Sequence, residues 1–145
     1  MSQGLPVADL RTAVAARVAS VTGLAGESLV LYDFLRQPSH SPVHARFAIH
    51  AGPTAPLSDR QKPADGVLST TEIRVMFPWQ LSTKDQVTSL GEMLAIQALI
   101  RNVLLVVGWY PRLLCRLGSQ DYTAGADGWL WSEQSFSAFH LLPLQ

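Results

Sequence analysis

Apolar and polar side chains alternate in three separate stretches of the chain, and this alternation limits the possible fold more than any other feature. In TTEIRVMF, residues 70–77, Ile73, Val75 and Phe77 fall on one face of an extended chain. The stretch PVHARFAIHAG, residues 42–52, and the segment from Trp129 to Leu142 have the same period. A period of two is typical of half-buried strands. The sequence therefore predicts a sheet that buries one face.

The N-terminal region has a helical period instead. Leu10, Val14 and Val18 recur at four-residue steps, as on one side of an amphipathic helix. This spacing predicts a helix over residues 6–22, and Gly23 suits the position just past its end.

A second helix is predicted from Thr83 to about residue 107. Thr83 and Gln86 have the spacing of a capping box, and Gly108 is a natural stop. The second half of this helix is apolar around most of its circumference. We therefore expect one side to meet the sheet of its own chain and another to meet a neighbouring subunit.

The remaining elements are predicted from turn residues and from shorter patterns. Residues 52–69 are rich in proline and charge and are expected to form a long exposed loop, and Pro78 is expected to end the strand before it. The apolar run 29–35 is an irregular or weak strand. RLLCRLGSQDYT, residues 112–123, is a strand that returns through Asp127-Gly128 as a C-terminal β-hairpin.

These elements predict one α+β domain over residues 1–145. Its order is α-β-β-α-β-β, with a mostly antiparallel four-stranded sheet packed against two main helices. A chain of 145 residues is long enough to bury a single core.

Composition argues against several function classes. The chain has 11 basic and 11 acidic residues, so no net charge attracts nucleic acid or an anionic membrane. The most apolar window, residues 93–107, is shorter than the roughly 20 residues that cross a bilayer. No secretory signal is visible at the N-terminus. Cys115 is the only cysteine, and its apolar neighbours predict a packed thiol rather than a reactive one.

No motif supplies a catalytic, cofactor or metal site. His44 and His50 would share a strand face but stand roughly 20 Å apart, too far to share an ion. We interpret His44 and His50 as exposed strand histidines beside Arg46. Neither a phosphate-binding glycine loop nor a nucleophile elbow is present. We therefore expect no enzyme activity and no cofactor.

Candidate interface residues are aromatic or basic. Tryptophans at the ends of elements either seal a core edge or anchor an interface, and the sequence leaves both open. Basic residues near the second helix and in the long loop form either a small patch or a solvated face. The candidates are Trp79, Trp129, Trp131, Arg101, Asn102, Arg60 and Lys62.

The order of segments resembles that of the tail terminator proteins of long-tailed bacteriophages. The resemblance covers nearly the full chain and runs through LRTAVAARV, SPVHARFAIHAG, TTEIRVMFPWQLSTKDQVTSLGEML and QDYTAGADGWLWSEQSFSAF. The final segment is the most similar part, with a turn, a Trp-Ser pair at 131 and 132, and a closing strand.

This resemblance implies a structural virion protein, assembled in the bacterial host cytoplasm and located in the tail or neck. It implies a homohexameric ring that caps the tail tube protein, ends tube polymerisation and offers its other face to a head-completion or neck protein. DNA would pass through the ring lumen without sequence-specific binding, and no membrane is involved. The chain lacks a marked acidic bias, which leaves open how its lumen is lined.

Two other functions fit the residues. The first is a head-completion or neck connector protein with a similar scaffold, because fold alone does not separate these roles. The second is a small enzyme or ligand-binding domain whose pocket is lined by Arg46, His44 or His140.

Overall fold

The computed structural model describes residues 5–27, 44–56, 67–105, 114–124 and 128–142, and these form an α+β fold. The helices are α1 (Val7–Ala19) and α2 (Gln86–Leu104). The strands are β1 (Gly26–Glu27), β2 (Arg46–Pro56), β3 (Val67–Gln80), β4 (Leu114–Ala124) and β5 (Trp129–Leu142). They form one sheet in the order β1-β2-β3-β5-β4.

The alternation predicted for β3 and β5 is confirmed. Ile73 lies opposite Phe136, and Trp79 lies opposite Leu130. Residues directly opposite on antiparallel strands share a face, so these four side chains point to the same side, and all four are buried. We call this side, on which α2 packs, the helix face. The opposite side, which contains Arg74 and Glu133, is the outer face.

Helix α1 packs its predicted apolar side inward. Leu10, Val14 and Val18 are fully buried, and α1 contacts both β2 and α2. Gly23 follows with φ +104°, a left-handed conformation that favours glycine, as its predicted place past the helix end requires. Arg11 forms an ion pair with Glu27, which joins α1 to β1.

The predicted sheet of four strands is wrong by one, because β1 adds a fifth strand parallel to β2. The element order is therefore α-β-β-β-α-β-β. Gly26 and Glu27 are too few for an alternating pattern to show. Their position depends on tertiary contacts, among them the hydrogen bond from Ala25 N to Ala45 O at 2.8 Å.

The predicted loop over residues 52–69 is also wrong at both ends, because β2 continues to Pro56 and β3 begins at Val67. A register shift between Ala51 and Thr54 accommodates Gly52 and Pro53, after which pairing resumes with Thr54 opposite Thr71. The prediction for residues 57–66, and that for the weak strand 29–35, lie outside the described residues.

Pro78 does not end β3, contrary to prediction. Ala45 N donates to Pro78 O at 2.8 Å, so the backbone polar groups of Pro78 point toward β2 and away from β5. The β2–β3 pairs extend only as far as Ala48 and Met76. The amide that proline lacks is therefore not needed by a ladder, and β3 runs on to Gln80 beside β5.

The capping box predicted at Thr83 is wrong as well. Asp85 is the N-cap residue of α2, and its carboxylate accepts from Thr88 N at 3.0 Å and from the Thr88 hydroxyl at 2.6 Å. Aspartate fills this position as well as threonine does, since either supplies the oxygen that a free helix amide needs.

The predicted C-terminal hairpin is confirmed, with β4 and β5 paired antiparallel. Gly128 has φ +78° at the turn, and its carbonyl accepts from Leu81 N at 2.9 Å. No helix in the described part of the chain is both long enough and apolar enough to cross a bilayer.

Candidate protein–protein interface

Helix α2 presents apolar side chains on two sides. Its buried side faces the sheet and includes Met93, Ile96, Ile100 and Leu104. On the solvent side, Leu94 and Leu99 are each 41% exposed, and Val87 is 83% exposed. Small residues lie between them at Gly91 and Ala95, both also exposed.

These exposed residues form one stripe, which we call the α2 stripe: Val87, Gly91, Leu94, Ala95 and Leu99. At 100° per residue they fall on the side of the helix away from the sheet. Single exposed apolar residues are ordinary, but this side is mainly apolar over three turns, with Thr88 and Asn102 as exposed polar residues on it, which makes it a candidate contact surface. The α2 stripe is therefore the clearest candidate interface among the described residues.

A buried polar network fixes the orientation of α2 on the sheet. Gln97, only 1% exposed, donates to Ser132 Oγ at 2.8 Å and to Asp121 O at 3.1 Å. Gln134 of β5 donates to Gln97 O at 2.9 Å and to Gln120 Oε1 at 2.8 Å. Buried polar groups are costly unless paired, so these bonds favour a single rotation of the helix. That rotation keeps the α2 stripe toward solvent.

Sequence reasoning missed this network. The sequence pattern assigned Gln97 no partner. In the structure its side chain points into the helix–sheet contact. The signal was available in β5, because Ser132 and Gln134 alternate in phase with Phe136 and so had to lie on the helix face.

The outer face carries a short row of charges. Arg74 Nε lies 3.0 Å from Glu72 Oε1 and 3.9 Å from Glu133 Oε1. The hydrogen bond from Arg74 lowers the pKa of the Glu72 carboxyl below its usual value. These side chains are largely solvated, so the row adds little to stability. It does keep the middle of the outer face polar.

An open cleft of about 280 Å³ lies beside this row. Trp131, Met76 and Arg74 line it from β5 and β3, and Asp121 and Thr123 line it from β4. Neither Arg46, His44 nor His140, the residues expected of an enzyme pocket, lines this cleft. Among the described residues no three His, Cys, Asp or Glu side chains are grouped to hold a metal ion.

The candidate tryptophans are placed differently from one another. Trp79 is 6% exposed, and its indole N–H donates to Ser89 O and Ser89 Oγ, both at 3.1 Å. Trp129 is 3% exposed. Packing inside the protomer thus accounts for both. Trp131 is half-buried and lies on the outer face, the same side of β5 as the buried Trp129.

The polar candidates are also separated. Arg101 is half-buried and donates to Gln120 Oε1 at 3.1 Å, so it contacts the edge of the sheet. Asn102 is exposed on α2 beside the α2 stripe. Arg60 and Lys62 lie outside the described residues. The predicted patch of Arg101 with Arg60 and Lys62 therefore falls partly outside the described residues.

His140 is buried, and both nitrogens of its ring have partners. Its Nδ1 lies 2.8 Å from Leu5 O, which only accepts, so Nδ1 carries the proton. Nε2 then accepts from the Thr71 hydroxyl at 2.6 Å. Thr71 Oγ1 in turn lies 2.8 Å from Thr54 Oγ1. Burial lowers the pKa of His140, so the ring is a neutral cross-link between β5, β3 and the chain ahead of α1.

The other titratable candidates have structural surroundings too. His44 is half-buried ahead of β2, so the prediction of an exposed strand residue is wrong there. It accepts from Gln80 N at 2.9 Å, and its ring is tilted by 46° against Trp79, with ring centroids 4.5 Å apart. Its pKa is lowered by burial. Burial also raises the pKa of the Cys115 thiol to about 12, so the thiolate needed for nucleophilic attack is scarce at neutral pH. His50 is exposed, as predicted.

Comparison with known proteins finds no protein-family model that matches the chain and no curated protein that matches it significantly.

Proposed function

We propose that this protein is a structural virion component that caps the tail tube of a long-tailed bacteriophage as a six-membered ring. In this role it ends tube polymerisation and presents a second ring face to the head-completion or neck protein. The proposal rests on the family resemblance of the sequence. The observation that best supports it is the α2 stripe, an apolar helix side left in solvent by a single subunit.

The stripe has the properties that a subunit contact needs. Leu94 and Leu99 supply apolar area, and the small residues between them allow a close approach of a second backbone. Charged residues are sparse along it, as at the cores of protein interfaces. A ring requires each subunit to offer two different surfaces, one on each side. We assign the α2 stripe to one of them.

Capping by this mechanism is a matter of geometry. One ring face binds the last ring of tube subunits, and the other lacks the surface on which the next tube subunit would add. No bond is made or broken, and no cofactor is needed. DNA crosses the lumen without sequence-specific contacts, as suits a chain with no net charge.

The ring is tested by native mass spectrometry and electron microscopy of the purified protein, alone and with tail tube protein. We expect six-membered rings for the wild type. Leu94→Lys with Leu99→Lys should abolish them, because burying two ammonium groups in an apolar contact is costly. Ala16→Lys, on the exposed side of α1, is the matched control and should leave rings intact.

A strict monomer in the presence of tube protein would contradict the ring. Imaging of particles assembled without this protein separates the two virion roles. Overlong tails indicate a terminator, whereas tails of normal length that stay unattached to heads indicate a neck connector.

A further inference from the structure

Strand β4 is an edge with one strand partner in the described part of the sheet. It is 11 residues long, pairs with β5 on one side, and ends the strand order. The outer side of an edge strand presents unpaired backbone N–H and C=O groups, which are a template for another strand.

Apart from a bulge at Gly118 and the charges of Arg116 and Asp121, the edge lacks the features that block such pairing. Residues 117–124 contain no proline, lysine or arginine, and every side chain from Gly118 to Ala124 is exposed. The other long strand near an edge, β2, differs. It carries Pro53 and Pro56, which cannot donate, and β1 pairs with its start. Pairing through β4 is therefore favoured over pairing through β2.

Two charges of opposite sign lie along β4 on the outer face. Arg116 lies opposite Ser137, and Asp121 lies opposite Glu133. Like charges directly opposite one another destabilise a strand pair. Arg74 lies 3.9 Å from Glu133 Oε1, so Asp121 is the carboxylate of the two that favours a further cation. No described residue forms an ion pair with either Arg116 or Asp121.

The bulge at Gly118 places these charges so that two copies of β4 complement each other. The register shifts between Leu117 and Ser119, which leaves Gly118 as an extra residue. As a result Arg116 and Asp121, five positions apart, share the outer face, while Leu117 and Gln120 share the helix face. In a regular strand, residues an odd number apart lie on opposite faces.

We propose that two copies of this chain pair antiparallel along β4, about a two-fold axis between Gly118 and Ser119. In this register Arg116 of each copy lies opposite Asp121 of the other, so the contact forms two ion pairs. Leu117 likewise lies opposite Gln120, and each pair stays on its own face. The two sheets join into one, and each Asp121–Glu133 repulsion is offset by an arginine.

This contact is distinct from the proposed ring. It is two-fold and joins strand edges, whereas the ring contact is head-to-tail and uses the α2 stripe. To keep them apart, the test is made in the Leu94→Lys, Leu99→Lys background. Sedimentation equilibrium over a range of protein concentrations then measures the dimer dissociation constant.

Charge reversal gives the decisive comparison. Arg116→Asp alone and Asp121→Arg alone each place like charges opposite one another twice, and each should raise the dissociation constant at least about tenfold. An equimolar mixture of these two variants restores both ion pairs and should dimerise again. A chain carrying both reversals should also dimerise.

Both positions are exposed, so each variant should fold, which circular dichroism would check. If the Leu94→Lys, Leu99→Lys protein without further changes stayed monomeric at every concentration, the proposal would be overturned. A mixture that associates no better than its components would also overturn it, because the register with Arg116 opposite Asp121 would then be wrong.

Discussion

At the scale of single residues, buried polar side chains decide how the elements are held. His140 joins Leu5 to Thr71, and Gln97 with Gln134 joins α2 to β4 and β5. Each bond contributes modestly, but an unpaired buried partner costs about 1–3 kcal/mol. These residues therefore specify a geometry that apolar contacts alone would leave loose.

His140 makes stability depend on pH. Its pKa in the folded protein is lowered from 6.5, so the unfolded chain binds a proton first as the pH falls. The contribution of neutral His140 to the free energy of unfolding is then fully present above about pH 6.5. It decreases as the pH falls toward the pKa of His140 in the folded protein. We expect thermal melts between pH 5 and pH 8 to show this loss.

His140→Gln should lower stability at pH 7 and flatten its pH dependence, though not abolish it, because burial also lowers the pKa of His44. The exposed His50→Gln is the matched control and should keep the wild-type profile. If stability fell equally steeply with decreasing pH in His140→Gln and in the wild type, His140 would not be the residue whose protonation causes the loss.

At the scale of elements, helix ends and strand lengths were harder to predict than helix and strand identities. Periodicity identified α1, β2, β3 and β5, and cap and turn residues identified α2 and β4. These patterns did not distinguish Asp85 from Thr83 as the cap of α2, because both residues can accept from a free helix amide. Likewise Pro78 is compatible with a strand only because its missing donor faces a part of β2 where pairing has ended.

Replacing Gly23 with alanine and replacing Gly91 with alanine should change the stability in opposite directions. Gly23 has φ +104°, and an added Cβ would lie 2.9 Å from Ile96 Cδ1 of α2. We expect Gly23→Ala to lower the free energy of unfolding by about 1–2 kcal/mol. Gly91 lies within α2 with nothing within 4 Å of an added Cβ.

Gly91→Ala is the matched control and should raise stability by about 0.5–1 kcal/mol, through the better helix propensity of alanine. Urea unfolding of both variants measures the difference. If Gly23→Ala left the free energy of unfolding unchanged, the contact between Gly23 and Ile96 of α2 would have adjusted without loss of stability.

At the scale of the whole molecule, the two sides of the sheet differ in what they leave for partners. The helix face is filled by α1 and α2, whereas the outer face keeps exposed charges and an open cleft beside Trp131. The α2 stripe and the β4 edge lie on further sides of the subunit. The folded chain thus leaves two candidate contact surfaces, the α2 stripe and the β4 edge, exposed to solvent.

Trp129 and Trp131 should separate folding from assembly. Trp129→Ala removes a ring that is 3% exposed and should cost about 3–5 kcal/mol of stability. Trp131→Ala should cost less in the monomer, because its ring is only half-buried. Its larger expected effect is on ring assembly, measured by native mass spectrometry beside chemical denaturation. An unchanged ring of normal stability would remove Trp131 from the interface.

The sequence by itself determined which segments are helices, which long segments are strands, and which side chains of β3 and of β5 share a face. These properties depend on the period of neighbouring side chains, and Ile73, Phe136 and Leu10 all follow it. Only the tertiary structure decided the fifth strand, the cap at Asp85, and the burial of His140 and Gln97. Each depends on a partner far away in the chain, such as Leu5 for His140 and Ser132 for Gln97, and local periodicity carries no information about such partners.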